Sequence, residues 1–137
     1  GAMRRNRRLR FECRDVYLRV ERDDLPFTRG YRREAVLRMP VAHAEGNYFD
    51  LPERLDALEA ASGDVFRYVG PDGSVDEARK PTGAARALAG ITTARGNVAG
   101  MMPHPERCAE EILGNRDGLD LFAGVTQGAF RALEAGR

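Results

Sequence analysis

Gly100-Met101-Met102-Pro103-His104-Pro105-Glu106-Arg107 is the stretch from which the rest of this chain can be read. An apolar run ends on a histidine framed by two prolines, and a glutamate follows two residues later. In an extended segment residues i and i+2 project to the same side, so the Glu106 carboxylate is expected to reach the His104 ring and fix its tautomer. The pair is two thirds of a catalytic triad. The imidazole would take a proton from a thiol or hydroxyl, while the carboxylate orients it and stabilises the imidazolium that forms.

Ala89-Gly90-Ile91-Thr92-Thr93 and Val98-Ala99-Gly100-Met101-Met102 flank Ala94-Arg95-Gly96-Asn97, the pattern of a hairpin whose second strand delivers the chain to Pro103-His104. The candidate pair therefore sits at a strand end. Upstream, Arg10 to Val20 alternates as a strand, with Val16, Leu18 and Val20 on one face and Cys13, Asp15 and Tyr17 on the other. Glu34 to Ala44 reads as a second strand, with Pro40 arguing for an edge or a bulge. Asp50 is a candidate N-cap for a helix with Pro52 in its first turn, Glu53 three residues on, and Leu51, Leu55 and Leu58 at helical spacing before Ser62-Gly63. Val65 to Val69 is a short strand, Gly70-Pro71-Asp72-Gly73 a turn, and Ser74 to Arg86 a surface loop. A last helix is expected from about Leu119 to Ala135, with Leu121, Phe122, Val125, Ala129, Ala132 and Leu133 on one side.

Composition sets bounds on function. The chain has 137 residues, enough for one small domain or a piece of a larger one, and its 42% hydrophobic and 31% charged content is that of a globular protein. Net charge is +1, yet 12 of the 22 basic residues fall in the first 40 positions. Without interleaved aromatics or a recognition motif, that run reads as a solvated terminus rather than as a nucleic-acid site. Cys13 and Cys108 do not suggest a disulfide scaffold, and a reducing cytoplasm is the simpler setting. No apolar stretch approaches the ~18 residues of a membrane span. Gly1-Ala2-Met3 resembles a protease-cleavage scar and is set aside, leaving 4–137 as part of a single domain. His104 and Cys108 are four apart, but Pro105 breaks helical register between them and no further ligand is near, so no metal site is expected.

Several segments together resemble the glutaminase subunit of phosphoribosylformylglycinamidine synthase, a purine-biosynthesis member of the class I (triad) glutamine amidotransferases. They are Arg5-Asn6 through Leu9 to Val16; Met39-Pro40-Val41-Ala42-His43-Ala44-Glu45-Gly46-Asn47-Tyr48-Phe49; Val65 to Val69; Ala89-Gly90-Ile91; Gly96 through Arg107; and Asp117-Gly118-Leu119 with Leu121-Phe122. The resemblance implies an α/β fold, the C-terminal part of a doubly wound, flavodoxin-like domain with a mixed sheet. His104 would match the catalytic histidine and Glu106 the triad carboxylate. His43 and Glu45 stand as secondary candidates, for substrate access, subunit contact or structural hydrogen bonding.

The same resemblance implies a cysteine at a strand-to-helix elbow, in a Gly-x-Cys-x-Gly-x-Gln sequence that this chain does not contain. Cys13 lies mid-strand and Cys108 just beyond the motif, so no nucleophile is assigned and the chain alone is expected to be inactive. Implied partners are glutamine, a synthase subunit that holds ATP and Mg, a small accessory subunit, and the N-terminal part of the glutaminase; self-association is expected where sheet edges and an apolar face are left open. A different reading is a non-enzymatic, degenerate amidotransferase module that docks on the synthase. Where the family carries Asn-Pro-Asn-Gly-Ser, this chain has Lys80-Pro81-Thr82-Gly83-Ala84.

Overall fold

Alternation builds the sheet. In strand β2 (Glu12–Val20) every second residue from Val16 is buried, and its neighbour β3 (Val36–His43) answers with buried Leu37, Met39, Val41 and His43. The antiparallel register sets Val16 opposite Met39 and Leu18 opposite Leu37, so the two apolar rows share one face. On the other side of β2 lies β5 (Asp64–Val69), with Leu18 opposite Tyr68 and Val20 opposite Phe66. Leu18, Val20, Met39, Val41 and Val65 are fully buried. Burial of each such side chain contributes on the order of 1.5–3 kcal/mol before entropy is counted.

The computed structural model describes residues 1–75 and 82–135. Two further strands, β6 (Leu88–Thr92) and β7 (Ala99–Met101), complete a five-stranded sheet of order β3-β2-β5-β6-β7. Strand β1 (Ala2–Arg4) pairs with β4 (Asn47–Phe49) in a separate two-stranded ribbon. Ala2 and Met3, set aside above with Gly1, thus enter a strand. The α/β class holds, and every ladder among the described residues is antiparallel.

Helix α1 spans Pro52–Ala60, but its N-cap is Leu51 rather than Asp50, and no side chain caps it. The Asp50 carboxylate instead accepts the Leu51 N–H and pairs with the chain's amino terminus. Of the three spaced leucines only Leu55 is buried. Charge does the rest: Glu59 on α1 bridges Arg67 of β5 at 2.7 Å and also meets Arg86.

Helix α2 runs from Leu119 to Ala135, as the sequence predicts, but with a different inward side. Leu121 packs on the core and Gly124 is pressed against the Pro26 carbonyl, whereas Phe122 and Val125 are 40% and 44% exposed. Close backbone approach at glycine, invisible to an apolar count, decides the helix rotation. The side chains of Ala129, Ala132 and Leu133 lie outside those described. The predicted loop at 74–86 is described only in part, Lys80 and Pro81 falling outside, and it ends in a 3-10 turn at Ala85–Ala87.

The sheet curls on itself. The Met102 N–H donates to Ala89 O of β6, and two residues later the His104 N–H donates to Pro40 O of β3, the opposite edge. Two extended residues reach only about 7 Å, so the strand order that separates β6 from β3 is folded over to bring them together.

Candidate functional site

His104 arrives at the end of β7 in extended backbone and is pinned at 2.8 Å to Pro40 O. Pro105, whose fixed φ suits a first helical position, then starts a 3-10 turn, Pro105–Cys108. That turn swings Glu106 back over the ring, and His104 Nδ1 lies 2.7 Å from Glu106 Oε1. The pairing expected from i/i+2 alternation is therefore present, but the turn makes it, since the chain is no longer extended at Glu106.

Both side chains remain open to solvent, His104 at 32% and Glu106 at 55%. Partial desolvation pushes the Glu106 carboxyl up, and the hydrogen bond from His104, a backbone hydrogen bond and the nearby charges of His104 and Arg107 together more than offset it, leaving the carboxyl below its usual range and ionised at neutral pH. An ionised carboxylate is acceptor-only, so Nδ1 carries the proton and Nε2 is left as the basic nitrogen.

The turn is braced from behind. Cys108 is buried, its sulfur against the carbonyls of Pro105 and His104 at 3.5 and 3.7 Å, and burial raises its thiol above the ordinary value. Gly118 N–H donates to Cys108 O at 2.8 Å. Tyr31 ties in the following residues, donating its hydroxyl to Asp117 O at 2.6 Å and accepting the Leu121 N–H at 3.1 Å. Asp117 and Asn115 bond the Arg38 N–H and carbonyl of β3, so this segment covers the sheet edge that Pro40 marks. Cys13 is exposed on β2. Among the described residues neither thiol is hydrogen-bonded to the His104 ring.

His43 ends β3 and is buried, whereas Glu45 is exposed on the turn that follows. The residue that organises this turn is Asn6, fully buried in an arginine-rich run. Its Nδ2 donates to Arg10 O and His43 O, both at 2.8 Å, and its Oδ1 accepts the Gly46 N–H at 2.8 Å. Because Oδ1 can only accept, His43 Nδ1, 3.1 Å away, must carry its proton, and the buried Nε2 is a bare acceptor with no partner among the described residues. Gly46 lies so close to the ring that an added Cβ would sit 2.1 Å from His43 Cε1. Sequence reading missed this role of Asn6, because one polar residue in a charged run carries no periodic signal.

Burial lowers His43 below its ordinary 6.5, opposed in part by Glu12, its cross-strand partner, and reinforced by His104. The folded state thus prefers the neutral ring, while the unfolded chain takes up a proton near 6.5. This contribution to stability is complete above that pH and is lost as pH falls through the lower folded value. The expected result is a urea midpoint that declines from pH 7.5 to 5 more steeply in the parent than in His43→Gln. Equal slopes would refute the assignment.

The strand-to-turn junction thus brings His104 and Glu106 together as a dyad, and among the described residues the second imidazole nitrogen has no hydrogen-bond partner. Residues 2–123 match the CobB/CobQ-like glutamine amidotransferase domain, and the chain belongs to that family. It is 53% identical over 127 residues to phosphoribosylformylglycinamidine synthase subunit PurQ of Bradyrhizobium diazoefficiens, covering 93% of this chain and 54% of that protein. It is 50% identical to the PurQ subunit of Thermus thermophilus over the same share of the chain and 55% of that protein. A solved structure of PurLQS from Thermotoga maritima superposes with a TM-score of 0.77 at 32% identity, covering 94% of this chain and 53% of that one. These relatives bear out the resemblance seen in the sequence. The chain spans about half the length of the curated relatives it matches.

Among the described residues no group of three or more His, Cys, Asp or Glu side chains could hold a metal ion. No described helix is long and apolar enough to cross a membrane.

Proposed function

We propose that this chain supplies the histidine and carboxylate of a glutaminase that feeds ammonia to formylglycinamide ribonucleotide amidation in purine biosynthesis. The observation that carries the reading is the 2.7 Å contact between His104 Nδ1 and Glu106 Oε1, which leaves Nε2 free to take a thiol proton. A cysteine thiolate from the part of the relatives that this chain does not span attacks the glutamine amide carbon. The C–N bond breaks, ammonia leaves with a proton returned by His104, and water then hydrolyses the thioester to glutamate. Ammonia passes to a synthase subunit, which binds ATP and Mg and, with a small accessory subunit, completes a cytoplasmic complex.

Cys108 is a poor alternative nucleophile, since its thiol is buried, raised and turned to main-chain carbonyls. An apolar cleft lined by Met3, Tyr48, Leu88, Ile91, Met101 and Met102 suits cover by the rest of a glutaminase, or by a second copy of this chain in isolation. The test mixes the chain with an N-terminal glutaminase segment carrying the Cys elbow and measures ammonia release from glutamine. We expect none from the chain alone, release on mixing, and loss with His104→Ala. If mixing yields no ammonia while the chain still binds the synthase, the non-enzymatic docking module is the better account.

A further inference from the structure

Tyr31 is a buried side chain whose hydroxyl makes two bonds to one distant segment. It stands in the connection between β2 and β3 at 8% exposure, and that connection is itself fixed. The Tyr31 N–H donates to Thr28 O at 2.9 Å, and buried Thr28 accepts the Leu25 N–H on its Oγ1 at 3.2 Å. From this base the hydroxyl reaches across 86 and 90 residues of sequence, donating to Asp117 O at 2.6 Å and accepting the Leu121 N–H at 3.1 Å. The Leu121 N–H is among the first four of α2, which have no carbonyl within the helix to meet, so Tyr31 caps that helix from outside. Burial raises the phenol above its ordinary value, opposed by the Leu121 hydrogen bond and reinforced by Asp120, Cys108 and Asp117, so the hydroxyl keeps its proton throughout the neutral range.

The segment it holds lies against both fixings of the dyad. Gly118 is buried so close to the Pro105–Cys108 turn that an added Cβ would fall 2.2 Å from Pro105 O, and its N–H donates to Cys108 O at 2.8 Å. Glu106, which sets the His104 tautomer, is the next residue of that turn. On its other side the segment rests on β3: Asp117 accepts the Arg38 N–H at 2.7 Å and Asn115 donates to Arg38 O at 2.6 Å. Arg38 is two residues from the Pro40 carbonyl that holds the His104 N–H. Residues 115–121 are thus wedged between the backbone anchor of His104 and the turn that carries its carboxylate, and Tyr31, a member of the core, fastens the wedge from the inside.

We propose that Tyr31 is a positioning residue for the His104–Glu106 dyad, its hydroxyl seating residues 115–121 against the Pro105–Cys108 turn so that Glu106 stays on Nδ1. The inference rests on the glutaminase reading above for its effect on turnover, and on the geometry alone for its effect on the ring. Loss of the hydroxyl leaves the Asp117 carbonyl and the Leu121 N–H without their partner in a buried place, so water must enter or the segment must lift. Gly118 touches backbone rather than a flexible side-chain tip, and a segment that lifts there frees the turn to move with it. A misplacement of about 1 Å at a reacting group can cost up to about 100-fold in rate.

The test compares Tyr31→Phe with Tyr68→Phe. Tyr68 is the control because it is just as buried, at 3% exposure, while its hydroxyl has no partner among the described residues; its removal should leave the thermal midpoint at or above that of the parent and the dyad unchanged. In the isolated chain, nitrogen NMR of the His104 ring should show Nδ1–H in the parent and in Tyr68→Phe, and a mixture of tautomers in Tyr31→Phe. In a glutaminase assembled with an N-terminal segment, Tyr31→Phe should lower kcat about tenfold at unchanged KM. Asn115→Asp removes the exposed bond to Arg38 O that holds the same segment, should mix the tautomers as well, and serves where Tyr31→Phe does not fold. A parent-like ring in both variants, or a parent-like kcat in both, would overturn the positioning role and leave the glutaminase reading intact, whatever the change in thermal midpoint. Mixed tautomers together with no ammonia release from any assembly, the parent's included, would support the positioning role and overturn the glutaminase reading.

Discussion

Gly118→Ala is expected to lower the thermal midpoint of this chain by about 10 °C, corresponding to a loss of roughly 2–4 kcal/mol. A Cβ at position 118 would lie 2.2 Å from Pro105 O and 2.8 Å from two further Pro105 backbone atoms. Those atoms cannot swing aside as a side-chain tip would. They belong to the turn that carries Glu106 over His104, and the Gly118 N–H is itself bonded to Cys108 O at the end of that turn. Relief must come from moving one segment off the other. In a glutaminase assembled with an N-terminal segment, Gly118→Ala should therefore also depress kcat. Gly100→Ala is the internal control, since nothing lies within 4 Å of its added Cβ; it should unfold within a degree or two of the parent. Equal midpoints for the two variants would show that the turn does not depend on this close approach.

The contrast between those two glycines shows what was legible in the sequence. The alternation of Val16, Leu18 and Val20 specified β2 and its buried face because side-chain direction in a strand has a strict period of two. The hairpin leading to His104 was legible from its flanking strands, and the His104–Glu106 pair from identity and nearness. What escaped was set by contacts between distant segments. Gly118 and Gly100 are the same letter, and only the fold places one on the Pro105 backbone and the other in open space. The rotation of α2 went the same way: Phe122 and Val125 suggested an inward stripe, but Gly124 against Pro26 turned the helix otherwise. Asp50 had the residue type and spacing of an N-cap, yet the chain's amino terminus and the Leu51 N–H hold its carboxylate. Asn6 is the largest omission. Its side chain anchors both the His43–Gly46 turn and Arg10 of its own arginine-rich run, across separations of up to 40 residues.

Glu106→Gln in an assembled glutaminase is expected to lower kcat by about 10²–10⁴ with little change in KM. The substitution keeps the size and reach of the side chain and removes its charge. The Glu106 carboxylate is ionised and can only accept, so it holds the proton on His104 Nδ1 and the lone pair on Nε2. A carboxamide can present either its oxygen or its NH2. In the second orientation Nδ1 becomes the acceptor, the proton moves to Nε2, and the nitrogen that should receive the thiol proton is already occupied. Even in the first orientation the imidazolium formed during thiolate attack loses its counter-charge, at 2.7 Å and with the ring only 32% exposed. A buttressing role alone would leave kcat nearly intact, because the shape is conserved. The isolated chain offers a second readout that needs no nucleophile: nitrogen NMR of the His104 ring should report the Nδ1–H tautomer in the parent and a mixture in Glu106→Gln. A variant that keeps both the tautomer and kcat would remove Glu106 from the triad and leave His104 to act through its backbone anchor to Pro40 alone.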